Sequence, residues 1–240
     1  MTLKGPLPVE PRHGPGKGPF VLRMFAQIAP RYDLLNRLLS FGQDLRWRRA
    51  LVRAMEFRPG AHLLDLACGT GDVAALALKA QPGLKITGAD PVPEMLVRAA
   101  AKVPALQPVQ AGAELLPFAN STFDCITVAF GVRNFHSLEK GLDEMTRVLK
   151  TGGHLGILEF VAPKAGLYGR GVGWYRRVVL PRTAACFSRR DAYEYLPESV
   201  DHFPTPQAFS TMVEKLGFSM LATRTFLAHS VRLWVFGKGG

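Results

Sequence analysis

The densest grouping of chemically useful residues is Asp65-Leu66-Ala67-Cys68-Gly69-Thr70-Gly71-Asp72, which follows an apolar run and opens a second apolar stretch. Gly69, Gly71 and Ala74 satisfy the G-x-G-x-x-G/A spacing that lets backbone approach an adenosine-type ligand closely. Asp90, 19 residues beyond Gly71, stands where a carboxylate would accept ribose hydroxyls. Spacing alone does not separate one adenosine cofactor from another, but charge does. NAD would set its pyrophosphate against the helix N–H groups that follow the loop, where anions are favoured. Asp65 and Asp72 would repel it there, whereas an α-amino group and a sulfonium would be attracted. The loop therefore favours S-adenosylmethionine (SAM) over NAD, with Asp65, Gly69, Gly71 and Asp90 around it.

These residues need strands that end beside helices. Leu63 to Ala67, Leu84 to Ala89, Leu106 to Gln110, Phe123 to Phe130 and Leu155 to Phe160 are short apolar runs of strand length. Between them, Asp72 to Ala80, Pro93 to Lys102 and a stretch opened by Ser137 carry helical patterns, the last ending at Thr151-Gly152-Gly153. Strands alternating with helices predict a doubly wound, mostly parallel α/β sheet covered on both faces. Thr205-Pro206 predicts a further helix start. Phe218 to Leu227 and Ser230 to Phe236, two residues apart, predict an antiparallel hairpin at the sheet edge, completing seven strands. Before the sheet, residues 20–58 form a helical preface punctuated at Pro30 and Ser40-Phe41-Gly42. Residues 1–19 are rich in Pro and Gly and predict a flexible tail. The main domain is expected over 59–240, with a helical cover inserted at about 163–203.

Bulk properties exclude several classes. The 240 residues are 48% hydrophobic and 20% charged, which is globular composition. No apolar run approaches the roughly 18 residues that span a bilayer. Cys68, Cys125 and Cys186 lie far apart with no metal-ligand spacing, so no metal is expected and a reducing cytoplasm is. The net charge is +11, and Lys164 to Arg190 holds seven basic residues, no Asp or Glu, and four interleaved aromatics (Tyr168, Trp174, Tyr175, Phe187). Such a segment suits reversible contact with an anionic membrane surface. A phosphate backbone or plain solvation are the other readings.

Several stretches outside the glycine loop are more specific. They are Met24-Phe25-Ala26-Gln27-Ile28-Ala29-Pro30-Arg31-Tyr32-Asp33, Ala111-Gly112-Ala113-Glu114-Leu115-Leu116-Pro117-Phe118, Ala129-Phe130-Gly131-Val132-Arg133-Asn134-Phe135 and Tyr193-Glu194-Tyr195-Leu196-Pro197-Glu198-Ser199. In this order they resemble the ubiquinone/menaquinone biosynthesis C-methyltransferases, a class I SAM-dependent family that methylates a ring carbon of a polyprenylated quinol. The resemblance covers roughly residues 20 to 238. It implies SAM contacts at Thr70, Asp90, Gly112, Ala113 and Ala129, and either demethylmenaquinol or a methoxy-polyprenyl-benzoquinol as substrate.

A ring carbon attacks a methyl group well only when an adjacent hydroxyl is ionised, and a phenol of pKa about 10 is mostly neutral at pH 7. The site must stabilise a phenolate as it forms. Arg133 and Asn134, just past the fourth strand, lie at the carboxyl edge where such sheets bind ligands, and Tyr32 in the preface is the third candidate. Arginine stays protonated and is no base, so water or another side chain such as His136 must take the proton. Methylation of another small molecule or of RNA is the alternative within enzymes, although nucleic acid is not the expected partner. A non-catalytic SAM-binding regulator is the alternative outside them. A homodimer is one arrangement the sequence leaves open.

Overall fold

In the computed structural model the expected strands pair as β1 (His62–Leu66), β2 (Lys85–Asp90), β3 (Leu106–Gln110), β4 (Phe123–Ala129), β5 (Leu149–Phe160), β6 (Phe218–Phe226) and β7 (Val231–Lys238). The structure describes residues 17–162, 195, 198–227 and 229–240. The basic segment Lys164 to Arg190, and with it most of the expected cover, lies outside them. Among the described residues the strands make one sheet, in the order β3-β2-β1-β4-β5-β7-β6. The first five run parallel to one another, and β7 runs antiparallel to both β5 and β6. Most expected strand bounds shift by one or two residues, and two differences matter more. Strand β5 begins at Leu149, directly after its helix, because Leu149 already pairs with Phe123. Residues 150–153 then bulge opposite Asp124 before His154 meets Cys125, and Gly152 makes the turn with φ of +73°. The β6–β7 connection spans four residues, since Phe226 pairs with Val231.

Helices with bounds within the described residues include α1 (Lys17–Ile28), α2 (Tyr32–Leu39), α3 (Gln43–Ala54), α4 (Asp72–Ala80), α5 (Pro93–Lys102), α6 (Leu138–Val148) and α7 (Pro206–Glu214), with 3-10 turns at Ala29–Arg31 and Val132–Asn134. Helix α1 starts at Lys17, inside the stretch expected to be tail. Local signals account for several starts. Ser137 and Thr205 accept from the backbone N–H groups of Lys140 and Ala208, and Pro93 and Pro206 occupy first-turn positions.

Alternate residues of the central strands face two cores. Leu64, Leu66, Ile126, Val128 and Ile157 pack with Leu142 and Met145 of α6 and Phe209 and Val213 of α7. Leu63, Leu158, Leu233 and Val235 pack with Trp47 and Leu51 of α3, with Met55 just past its end, and with Val73 and Ala77 of α4. Burial on both faces explains why these strands read as continuous apolar runs. Gly71 has φ of +82°, and a Cβ there would lie 3.3 Å from the Ala99 backbone of α5. That turn lets α4 start beneath α5 and aims the preceding loop at the carboxyl edge.

The preface is held by ions as well as by packing. Asp44 accepts from Arg37 and, at 2.8 Å, from Arg48. Asp72 accepts from Arg37 at 2.7 Å and Lys102 at 2.8 Å, and Lys102 also donates to Asp33 at 2.6 Å. These contacts tie α2 and α3 to the start of α4 and the end of α5. Burial pushes the Asp72 carboxyl up, but the hydrogen bonds from Lys102 and Arg37 and the charge of Arg48 outweigh it and hold the carboxyl below its usual range.

Candidate active site

The carboxyl ends of β1, β2, β3 and β4 converge on a cavity of about 380 Å³, roofed by Val21, Leu22, Phe25 and Tyr32 of the preface. That volume falls among ligand pockets, which run about 300–1,000 Å³. At its base Asp90 ends β2 and is 6% exposed. Its Oδ2 accepts from the Gly69 N–H at 2.9 Å and its Oδ1 from the Val92 N–H at 2.9 Å. Each oxygen keeps acceptor capacity for a ligand hydroxyl. Burial raises the carboxyl to about 6, against the lowering effect of the two N–H groups, so it is still mostly ionised at pH 7. Glu114 supplies the second lining carboxylate, with Oε1 accepting from the His136 and Ser137 N–H groups at 2.6 and 3.3 Å. Among the described residues no Lys or Arg lines it. Two carboxylates with no described cation beside them suit a positively charged adenosine ligand and oppose a pyrophosphate.

The structure brings together Gly69, Asp90, Gly112, Ala113 and Ala129 from the expected cofactor set, and Tyr32 and Asn134 from the expected catalytic set. Asp65, Thr70, Gly71 and Arg133 are not among the lining residues. Asp65 is 1% exposed behind the loop, accepting from Thr127 Oγ1 at 2.9 Å. Thr70 donates its hydroxyl to Asp33 at 2.6 Å and accepts from Lys102 at 3.1 Å. Asp72 serves the preface ion pairs. Of the acidic residues at this edge, Asp90 and Glu114 line the cavity, and Asp65 and Asp72 do not. Arg133 donates to Glu159 at 2.5 Å and to the Phe130 carbonyl at 2.8 Å, with its guanidinium 5.5 Å from the Phe160 ring centroid. Glu159 is fully buried, so this pair fixes the turn that carries Asn134. Asn134 donates to the Phe130 carbonyl at 3.2 Å, while its Oδ1 is buried without a partner. Tyr32 packs edge-on to Phe25, with ring centroids 6.0 Å apart.

Phe25, Met95 and Glu114 line the cavity and were not singled out from the sequence. Glu114 was legible in principle as a charged residue two positions after the Gly112 turn. Phe25 and Met95 carried only the signal of helical apolar positions, which core residues share. His136, named as a proton acceptor, lines the mouth. Of the three cysteines, Cys186 lies outside the described residues; Cys68 and Cys125 are buried, and burial pushes the Cys125 thiol up to about 11. Among the described residues no group of three His, Cys, Asp or Glu could hold a metal, and no helix is long and apolar enough to cross a membrane.

Comparison with known proteins is consistent with this geometry. The model of the ubiE/COQ5 methyltransferase family matches residues 16–231. A demethylmenaquinone methyltransferase of Thermus thermophilus is 47% identical over 202 residues, covering 82% of this chain and 92% of that protein. A ubiquinone/menaquinone biosynthesis C-methyltransferase UbiE of Geobacter sulfurreducens is 44% identical over 216 residues, covering 87% and 84%. In three dimensions, a SAM-dependent methyltransferase from Thermotoga maritima superposes with a TM-score of 0.66 at 15% identity, covering 91% of this chain and 99% of that one. That last likeness concerns the fold alone.

Proposed function

Because this chain belongs to the ubiE/COQ5 methyltransferase family, we propose that it methylates a ring carbon of a polyprenylated quinol, with demethylmenaquinol as the first substrate to test and SAM as the methyl donor. The observation that carries the reading is one cavity that joins two carboxylates at the strand ends to an apolar roof from the preface. The carboxylate end suits the cofactor, and the roof suits a ring with a hydrocarbon tail. SAM, when bound, supplies an electrophilic methyl group.

The protein's own residues then have three tasks. Asp90 accepts ribose hydroxyls while the Gly69 and Val92 N–H groups hold it in place. Gly112, Ala113 and Ala129 present backbone and small side chains to the cofactor. Tyr32 and Asn134 face the ring: the Tyr32 hydroxyl donates to the ring oxygen as it gains charge, and the amide of Asn134 orients it. Arg133 acts as a positioning residue through Glu159 and the Phe130 carbonyl, rather than as the phenolate partner the sequence suggested. His136 at the mouth is the side chain placed to receive the hydroxyl proton.

Incubation with methyl-labelled SAM and a panel of reduced polyprenyl quinones tests the proposal. Label should appear in the ring of demethylmenaquinol or a methoxy-polyprenyl-benzoquinol. Label in none of the quinols, with transfer to RNA instead, would overturn it. Tyr32→Phe should lower turnover by roughly 10²-fold, the low end for a proton-handling group, with SAM affinity retained.

A further inference from the structure

A second cavity, of about 730 Å³, lies away from this site between α3 and the β6–β7 edge. Arg46, Arg49 and Arg53 line it from one stripe of α3, and Arg224 faces them from β6. Among the described residues no Asp or Glu lines it. All four arginines are exposed, and none has a carboxylate partner among the described residues. Their neighbours on the preface differ. Arg37 and Arg48 are both spent on Asp44 and Asp72. Arg224 lies 5.1 Å from the Phe226 ring centroid, which leaves its N–H groups available.

The groove begins at the same edge as the active site. Trp47 of α3 packs against Phe130 and Phe160 at the carboxyl ends of β4 and β5, with centroids 6.1 Å apart in each case. Helix α3 then descends until Met55 reaches Gly156. Strand β6 climbs to the same edge, where Phe226 and Leu227 line the groove's upper end beside Gln43. Phe41, two residues before Gln43, is 79% exposed, and Leu34 and Leu38 on α2 are 55% and 48% exposed. Cations without carboxylate partners, in one groove with Phe226 and the exposed Leu227, match the mixed environment at lipid headgroup level. A nucleic-acid strand would use the cations and stack on the ring, but it gives the aliphatic Leu227 no partner.

We propose that the α3–β6 groove docks the phosphate headgroups of an anionic bilayer, with Phe41 and Leu227 reaching the acyl boundary. The active-site edge then faces the membrane, and a long-tailed substrate enters without leaving the lipid. The inference takes from the quinol reading only this purpose. Its evidence is the groove itself.

The test is co-sedimentation of the full chain with vesicles of phosphatidylglycerol mixed into phosphatidylcholine, against phosphatidylcholine alone. Wild type should prefer the anionic vesicles, and the preference should shrink as salt rises. Each arginine replaced should weaken binding roughly fivefold, so R46Q/R49Q/R53Q/R224Q should lose on the order of a hundredfold or more. Circular dichroism and SAM binding confirm that the variant is folded, and its methyl transfer to a short-tailed soluble quinol should stay at the wild-type rate. Phe41→Ser should weaken binding at high salt, where the charges are screened. Equal binding of wild type to both vesicle types, or a loss below about threefold in the quadruple variant, would overturn the proposal. Saturable binding of pyrophosphate or RNA, lost in the variant while vesicles are ignored, would assign the groove to a soluble anion and overturn it too. If wild type methylates no quinol yet still binds anionic vesicles through these arginines, the quinol reading fails and the groove stands.

Discussion

Replacing Asp90 by asparagine separates two effects that one carboxylate combines. In the folded protein, burial raises this group to about 6 from an ordinary 3.8. A shift of about 2 units disfavours the ionised folded state by about 3 kcal/mol near pH 7. The sign follows from proton uptake. The folded chain binds this proton more tightly than the unfolded chain, so the group's contribution is most favourable below about pH 3.8 and is lost as pH rises toward about 6. Asparagine removes that charge but keeps one oxygen, so either the Gly69 or the Val92 N–H loses its acceptor, at about 1–3 kcal/mol. The two changes nearly cancel. Stability of the ligand-free protein near pH 7 should therefore change by no more than about 2 kcal/mol, measured by urea denaturation. The ligand sees a different balance. A charge-assisted hydrogen bond contributes about 1.5–3 kcal/mol, so SAM affinity measured by calorimetry should fall about tenfold to a hundredfold. Wild-type affinity should also weaken below about pH 6 as Asp90 protonates, whereas the variant should show no such dependence. Unchanged affinity in Asp90→Asn would remove this carboxylate from the cofactor site. A stability loss well beyond about 3 kcal/mol would show that its burial is not the burden inferred.

Three further outcomes follow from the same contacts. Arg133→Ala leaves the buried Glu159 carboxylate without its ion-pair partner, and should destabilise the fold by about 3–5 kcal/mol. Arg133→Met with Glu159→Gln should recover much of that loss in denaturant titrations. Asp72→Ala removes the ion pairs of Arg37 and Lys102 to the start of α4 while leaving Arg37 on Asp44 and Lys102 on Asp33, so amide exchange should quicken across α2 and α3 while the central strands stay protected. Asp65 is fully buried, with desolvation raising it to about 7 and one oxygen without a partner. Its ionisation opposes folding as pH rises from about 3.8 to about 7, so Asp65→Asn should raise the melting temperature at alkaline pH and change it little in acid. A lower melting temperature at alkaline pH would show that Thr127, the Ala74 N–H and the charge of Arg48 together outweigh the burial penalty.

The local sequence determined the parallel part of the fold because its signals are short-range. Apolar runs of strand length, Ser137 and Thr205 as caps, and proline at first-turn positions each act within a few residues. Helices α4 and α5 and strand β3 accordingly have the bounds read from the sequence. The sequence likewise determined that a glycine turn must meet an acidic residue at the next strand end, and Gly69 and Asp90 do meet at 2.9 Å. Direction was decided elsewhere. Asp65, Asp72, Thr70 and Arg133 have the right types at the right edge, yet their side chains turn to Thr127, Arg37 and Lys102, Asp33, and Glu159. A charged side chain next to a cavity is satisfied by whichever opposite charge the packing brings nearest. Those partners lie 26 to 62 positions away in the chain. The same distance in sequence hid the α3–β6 groove. Three arginines on a helix were not singled out in the sequence; only the last hairpin sets a fourth across from them, with no carboxylate between among the described residues.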